Sequence, residues 1–202
     1  MANLLTEILT DADANIGIGE YGLDASVLKV GNGADWSVHK FTLRGGQQEG
    51  VEVVWIDNGN LSFAILPTRG MGIWKARCGE INLGWDSPVK DPVHPAFINP
   101  LELGGLGWLK GFNEWIVRCG LSSMGAPGND RMVDNNGNTS EIFLPLHGNI
   151  ANIPARKLSL EVTDSEIIVR GEVLESMLFG PALLLTTEIR TGFGSGAPTT
   201  ND

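Results

Sequence analysis

Two apolar runs, Val51-Glu52-Val53-Val54-Trp55-Ile56 and Leu61-Ser62-Phe63-Ala64-Ile65-Leu66, flank Asp57-Asn58-Gly59-Asn60. β-Branched and aromatic residues fill both runs, and Asn-Gly tolerates the two positive φ values of a tight turn. The arrangement predicts a β-hairpin with a two-residue turn. Gly72 to Arg77 and Ile81 to Trp85, either side of Cys78-Gly79-Glu80, predict a second hairpin.

A later block repeats the pattern. Leu158, Leu160 and Val162 alternate with polar residues, Glu166 to Val173 is strand-like, and Leu183, Leu185, Thr187 and Ile189 alternate again. Strands, a long irregular segment and then more strands, with 27 glycines for turns, predict an all-β fold, an antiparallel β-sandwich. Residues 1–24 read as an N-terminal extension. Leu4, Leu5 and Ile8 are spaced for a helical turn or two, ended by Gly17 and Gly19. Residues 25–190 form the sandwich domain. Residues 191–202 are small and polar, and read as a disordered tail.

Residues 86–150 are too long for an ordinary connection. Their first part, Asp86 to Pro100, holds four prolines and reads as loop. From Gly104 to Gly148 the segment carries Trp108, Phe112, Trp115, Glu114, Arg118 and His147 among many glycines, with little regular periodicity. Long loops rich in aromatic and charged residues are usually functional. Aromatic faces beside a few fixed polar groups suit a sugar-sized ligand.

The chain has 202 residues and a net charge of −10. That charge repels phosphate backbones and anionic membranes, so neither nucleic acid nor membrane is an expected partner. A hydrophobic share of 42% and a charged share of 19% fit a globular domain with a core. No run approaches the roughly 20 apolar residues of a membrane span. The N-terminus lacks the basic and apolar regions of a signal peptide, so a cytoplasmic location is expected. Cys78 and Cys119 are spaced neither for a metal nor for a disulfide framework.

Of the three histidines, His39 lies in a strand-like context, His94 in a proline-rich loop, and His147 between Pro145-Leu146 and Gly148. A glycine beside a histidine marks a close approach of backbone or ligand. No histidine pair has metal-ligand spacing, no Gly-x-Ser-x-Gly elbow occurs, and Gly105-Leu106-Gly107 lacks the third glycine of a dinucleotide site. No metal or cofactor is therefore expected. Arg118 ends an apolar run, so its charge needs a partner. The partner is either a carboxylate such as Glu114 or Glu102, or the hydroxyls of a sugar. Trp108, Phe112 and Trp115 either pack in the core or stack on a pyranose face.

Five runs, Leu66 to Ile73, Gly84 to Pro88, Gly111 to Leu121, Gly125 to Gly128 and Leu146 to Ile150, resemble in order the aldose 1-epimerase (galactose mutarotase)-like superfamily, in particular its uncharacterised bacterial branch. The resemblance covers about residues 25–190. It implies a large antiparallel supersandwich that binds a free or phosphorylated sugar in an open groove. It also implies acid–base interconversion of anomers, with a Glu as base at the anomeric hydroxyl and a His as acid at the ring oxygen. An earlier His followed by Gly holds the sugar, and His147 matches it. Arg69 and Arg118 fall in shared motifs. The candidate site is thus His147 for catalysis, with Arg69, Arg118, Glu114, Trp108 and Phe112 as substrate contacts. The family's acid His and base Glu lie in a C-terminal part that this chain does not match. The expectation is therefore a truncated member that keeps sugar binding while catalysis is weak or lost. Its alternatives are a non-catalytic sugar-sensing module and an inert product. Unpaired sheet edges would favour self-association.

Overall fold

A computed structural model describes residues 2–202. The chain opens with β1 (Asn3–Asp11) and the short β2 (Ile16–Gly17). It continues through β3 (Tyr21–Asp24), β4 (Ser37–Thr42), β5 (Glu52–Asp57), β6 (Leu61–Leu66), β7 (Gly72–Cys78) and β8 (Ile81–Leu83). After a long irregular stretch come β9 (Gly128–Val133) and β10 (Thr139–Leu144). β11 (Lys157–Thr163), β12 (Glu166–Ser176), β13 (Ala182–Gly192) and β14 (Thr199–Asn201) complete it.

Two six-stranded antiparallel sheets result. One runs β3-β4-β5-β6-β7-β8 in sequence order; the other runs β14-β13-β12-β11-β1-β2. Their inner faces share one core. Val54, Ile56, Phe63 and Ile65 from the first sheet meet Leu9, Leu160, Val162, Ile167, Val169 and Ile189 from the second, all buried. The alternation seen in the sequence is the cause, since residues of one parity face inward. The architecture is the expected antiparallel β-sandwich, and neither sheet closes on itself. Each sheet ends on strands of two to four residues, which present little template for edge pairing.

Both predicted hairpins are present, but the first turn differs from the expected type. Only Gly59 has a positive φ, 93°. Asn58 is fully buried, and its side-chain oxygen accepts from the amides of Asn60 and Leu61. The Asn58 amide donates to the Leu61 carbonyl at 3.0 Å, so the turn holds two residues, Gly59 and Asn60, with the Asn58 side chain bracing it.

The N-terminal helical turn is corrected. Residues 3–11 form β1, which pairs antiparallel with β11, from Asn3 opposite Thr163 to Asp11 opposite Lys157. Irregularities between Asn3 and Leu5 and between Ile8 and Thr10 break its alternation, so its leucines mimic helical spacing. Residues 191–202 are likewise not a free tail. Buried Asn58 donates to Thr191 Oγ1 (2.6 Å) and to the carbonyls of Gly192 and Ser195. Phe193 packs on Trp36 at 5.4 Å, and β14 pairs with Glu188 to Arg190.

One close approach locks the sandwich behind the site. Met71, buried with φ 64°, lies over Gly171 of β12, where a Cβ would sit 2.5 Å from its Sδ. Only glycine leaves room there.

Candidate functional site

The irregular stretch lies across the sandwich as an aromatic wall. A 3₁₀ turn over Gly107–Lys110 buries Trp108, which is 4% exposed. Phe112 packs on it with ring centroids 4.7 Å apart, and Trp85 packs on Phe112 at 4.8 Å. On the other side of Trp108 stands His147, edge to face at 5.0 Å. Four rings thus form a continuous row from His147 to Trp85.

His147 is held by its backbone. Its amide donates to the Gly125 carbonyl and its carbonyl accepts from the Gly120 amide, both at 2.9 Å. It occupies the left-handed region at φ 56°, as does Gly148 at 70°. A Cβ on Gly148 would lie 2.4 Å from the Gly120 oxygen and 2.5 Å from the Ser123 oxygen. The glycine marks a backbone approach, the first of the two alternatives its position offered. A non-glycine residue held in this conformation carries strain of the kind that clusters at functional sites.

The turn is anchored from the opposite sheet by Glu175 on β12. Its carboxylate accepts from the amides of Leu121 (3.1 Å) and Ser122 (3.3 Å), the Ser122 hydroxyl (2.6 Å) and Asn149 Nδ2 (2.9 Å). Partial burial pushes its pKa up, but the bonds from Ser122, Asn149 and Leu121 outweigh that and hold it below the ordinary Glu value. Sequence reasoning missed Glu175. Its signal is parity: Ile167, Val169, Val173 and Glu175 share one face of β12, so a carboxylate stands where the strand faces inward.

The candidate contacts divide. Arg69 and Glu114 are 1% and 0% exposed, and Arg69 Nε donates to Glu114 at 2.7 Å. The rest of the guanidinium donates to the carbonyls of Val93 and Gly111 and to Asn152 Oδ1. This corrects their expected role as sugar contacts. The pair ties three stretches of loop together and leaves no face for a ligand. Arg118 takes neither Glu114 nor Glu102 as partner. It donates to Asp202 at 2.6 Å and to Thr187 Oγ1 at 2.8 Å, while Glu102 pairs with Lys110. Burial draws the Arg118 guanidinium below its ordinary pKa, and Asp202 works against that shift. His94 caps a 3₁₀ turn by accepting from the Ala96 amide, and His39 stands on β4, so neither joins the wall.

Among the described residues, six buried side-chain polar atoms have no hydrogen-bond partner: Trp108 Nε1, Asn113 Oδ1, Arg118 Nε, Ser123 Oγ, His147 Nδ1 and Asn152 Nδ2. All six belong to residues 108–152. Buried polar groups are almost always satisfied in folded proteins, so their confinement to one segment sets it apart. No group of three or more His, Cys, Asp or Glu among the described residues is placed to hold a metal ion, and no helix is long and apolar enough to cross a membrane.

The open, two-sheet antiparallel sandwich is that of the aldose 1-epimerase-like superfamily, on the structural likeness that follows. The chain belongs to the family described as a domain of unknown function (DUF4432), which matches residues 48–202. It is similar to the crystal structure of a protein described as a putative aldose 1-epimerase from Klebsiella pneumoniae, with 37% sequence identity and a TM-score of 0.86 over 97% of this chain. The chain spans 50% of the length of that relative. No curated protein matches.

Proposed function

We propose that residues 104–152 form one wall of a carbohydrate-binding cleft of the aldose 1-epimerase kind, with His147 as its principal polar contact. One observation carries this reading. Trp108 Nε1, which can only donate, and His147 Nδ1, which accepts in one neutral tautomer, are both buried, unpartnered and on contacting rings. A sugar hydroxyl is chemically matched to both, accepting from the indole and donating to the imidazole. Sugars present hydroxyls beside apolar C–H faces, and the row of rings offers surfaces for those faces. The likeness to a protein described as an epimerase supports the same ligand class.

The reaction in this reading is interconversion of sugar anomers. It needs a base at the anomeric hydroxyl and an acid at the ring oxygen, both within hydrogen-bond reach. Of the three histidines, His147 stands on the wall with an unpartnered nitrogen, and Glu175 has its carboxylate engaged by four donors. In this reading His147 contacts the sugar, and Glu175 orients the loop that carries His147. The second reading is a module that binds sugar without acting on it.

Two measurements separate the readings. Exchange NMR on freshly dissolved aldoses gives the rate of anomer equilibration, and a rate equal to buffer sinks catalysis by this chain. Calorimetric titration with the same sugars tests binding. His147→Ala is expected to weaken binding by roughly tenfold while the thermal midpoint stays near that of the parent. Unchanged affinity, or loss of the fold, would return His147 to a purely structural role.

A further inference from the structure

A groove opens on the outer face of the β3–β8 sheet, at the Trp85 end of the row of rings and away from His147, which does not line it. It encloses about 560 Å³ between β5, β7 and residues 82–90, within the size range of small-molecule clefts. Three tryptophans line it. Trp85 has one face against Phe112, yet remains 47% exposed. Trp74 and Trp55 hold Lys75 between them, with Nζ 3.9 Å from the Trp74 ring centroid and 5.9 Å from that of Trp55.

The charge of this groove runs against that of the chain. Lys75, Arg77 and Lys90 line it with Asp86 as the single acid, although the chain carries ten more acidic than basic residues. Lys90 is paired with Asp86, and Arg77 with Glu80. Lys75 makes no ion pair among the described residues, and burial among the rings pushes its ammonium below the ordinary lysine value. The aromatic faces supply cation–π attraction but no counter-charge. The groove also holds an unpartnered acceptor: Asn113, 8% exposed, gives its Nδ2 to the Val89 carbonyl and leaves Oδ1 buried without a donor.

We propose that this groove binds a pyranose bearing one acidic group, with the sugar ring on Trp85, a hydroxyl donating to Asn113 Oδ1, and the acidic group on Lys75. A bare anion would leave the indole face and the amide acceptor unused; a neutral sugar would leave Lys75 uncompensated. The acidic group is either a carboxylate or a phosphate, since both offer oxygen acceptors to an ammonium.

Three sugars test the groove on the full chain: glucuronate, glucose 6-phosphate and glucose, with inorganic phosphate as the bare anion. The readout is the indole N–H signals of the six tryptophans in a ¹H–¹⁵N spectrum, assigned by single Trp→Phe replacements. At least one acidic sugar is expected to shift Trp85 and Trp74 saturably, at least about tenfold more tightly than glucose or phosphate, and the tighter of the two identifies the acidic group. Lys75→Met should weaken that binding about tenfold, and Lys75→Arg should retain most of it. His147→Ala should leave it unchanged, so failure here and failure at the His147 site are distinguishable. Equal binding of glucose, equal binding of phosphate, no shift at Trp85, or loss of binding in His147→Ala would each overturn the proposal. Lys75 lies on the surface, so its variants are expected to fold, and circular dichroism verifies that they do.

Discussion

Trp108 and His147 meet edge to face, 5.0 Å between ring centroids, and each buries a ring nitrogen that nothing in the chain satisfies. In the proposed cleft these two nitrogens are the groups that a sugar hydroxyl engages. Trp108→Phe removes the indole N–H and preserves an aromatic ring. Its effects on stability and binding should separate. Losing an unsatisfied buried donor relieves a desolvation cost of about 1–3 kcal/mol, offsetting part of the loss in packing. Sugar affinity should meanwhile fall. Urea denaturation and calorimetric titration of the same variant show whether the two diverge.

Arg69 and Glu114 predict a different outcome. Their ion pair is inside the protein, with every donor group of the arginine engaged. Glu114→Ala leaves a buried guanidinium without its counter-charge, and should cost roughly 3–5 kcal/mol of unfolding free energy. Denaturant melts measure this. A cost below about 1 kcal/mol would mean that the pair is open to water.

Gly148→Ala should destabilise the His147 turn. The added Cβ meets two carbonyl oxygens at 2.4 and 2.5 Å, and φ is 70°. Backbone placement of an alanine there costs of order 1–3 kcal/mol before any clash is counted. Thermal melts should show the loss, and amide exchange should locate it at residues 120–125 and 147–150.

Acid should loosen the same turn through Glu175. Its folded-state pKa is lowered relative to the 4.5 of an ordinary Glu. The carboxylate therefore contributes stability that is fully present above about pH 4.5, and that is lost as pH falls through the lower folded-state value. The protection factors of the Leu121 and Ser122 amides, measured downward from pH 6 against their intrinsic exchange rates, should fall in that window. Glu175→Gln should lower protection above about pH 4.5 and remove its fall in acid.

Asn58→Ala removes three bonds to residues 191–195 and two inside its own turn. A loss of about 2–4 kcal/mol is expected, because several buried partners are left unpaired together. Proteolysis should then cut near residues 193–198 in the variant before it cuts the parent.

Local pattern made much of the sandwich readable. Alternation in β11 to β13 and the two hairpins places apolar residues on one face whatever the partner is. β1 escaped because its bulges give Leu4, Leu5 and Ile8 a helical spacing, and its partner, β11, is some 150 residues away. β9 and β10 escaped because they bury no face at all and so carry no periodic signal. At the site, His147 and the aromatic row were visible as residue types crowded into one stretch. The fates of Arg69 and Glu114 were not, since an ion pair spanning 45 residues leaves no spacing to detect. Glu175 needed the parity of β12 read for its exception rather than for its rule.

Four donors from residues 121, 122 and 149 converge on the one carboxylate that β12 extends toward them. The loop that carries His147 is therefore shaped from two sides, by its own backbone bonds and by the strand that clamps it. Moved to another sandwich by grafting, residues 119–150 would keep their internal bonds and lose the carboxylate that pins Leu121, Ser122 and Asn149. Within this chain, a substitution at the end of β12 can shift His147 without altering any residue of the aromatic row.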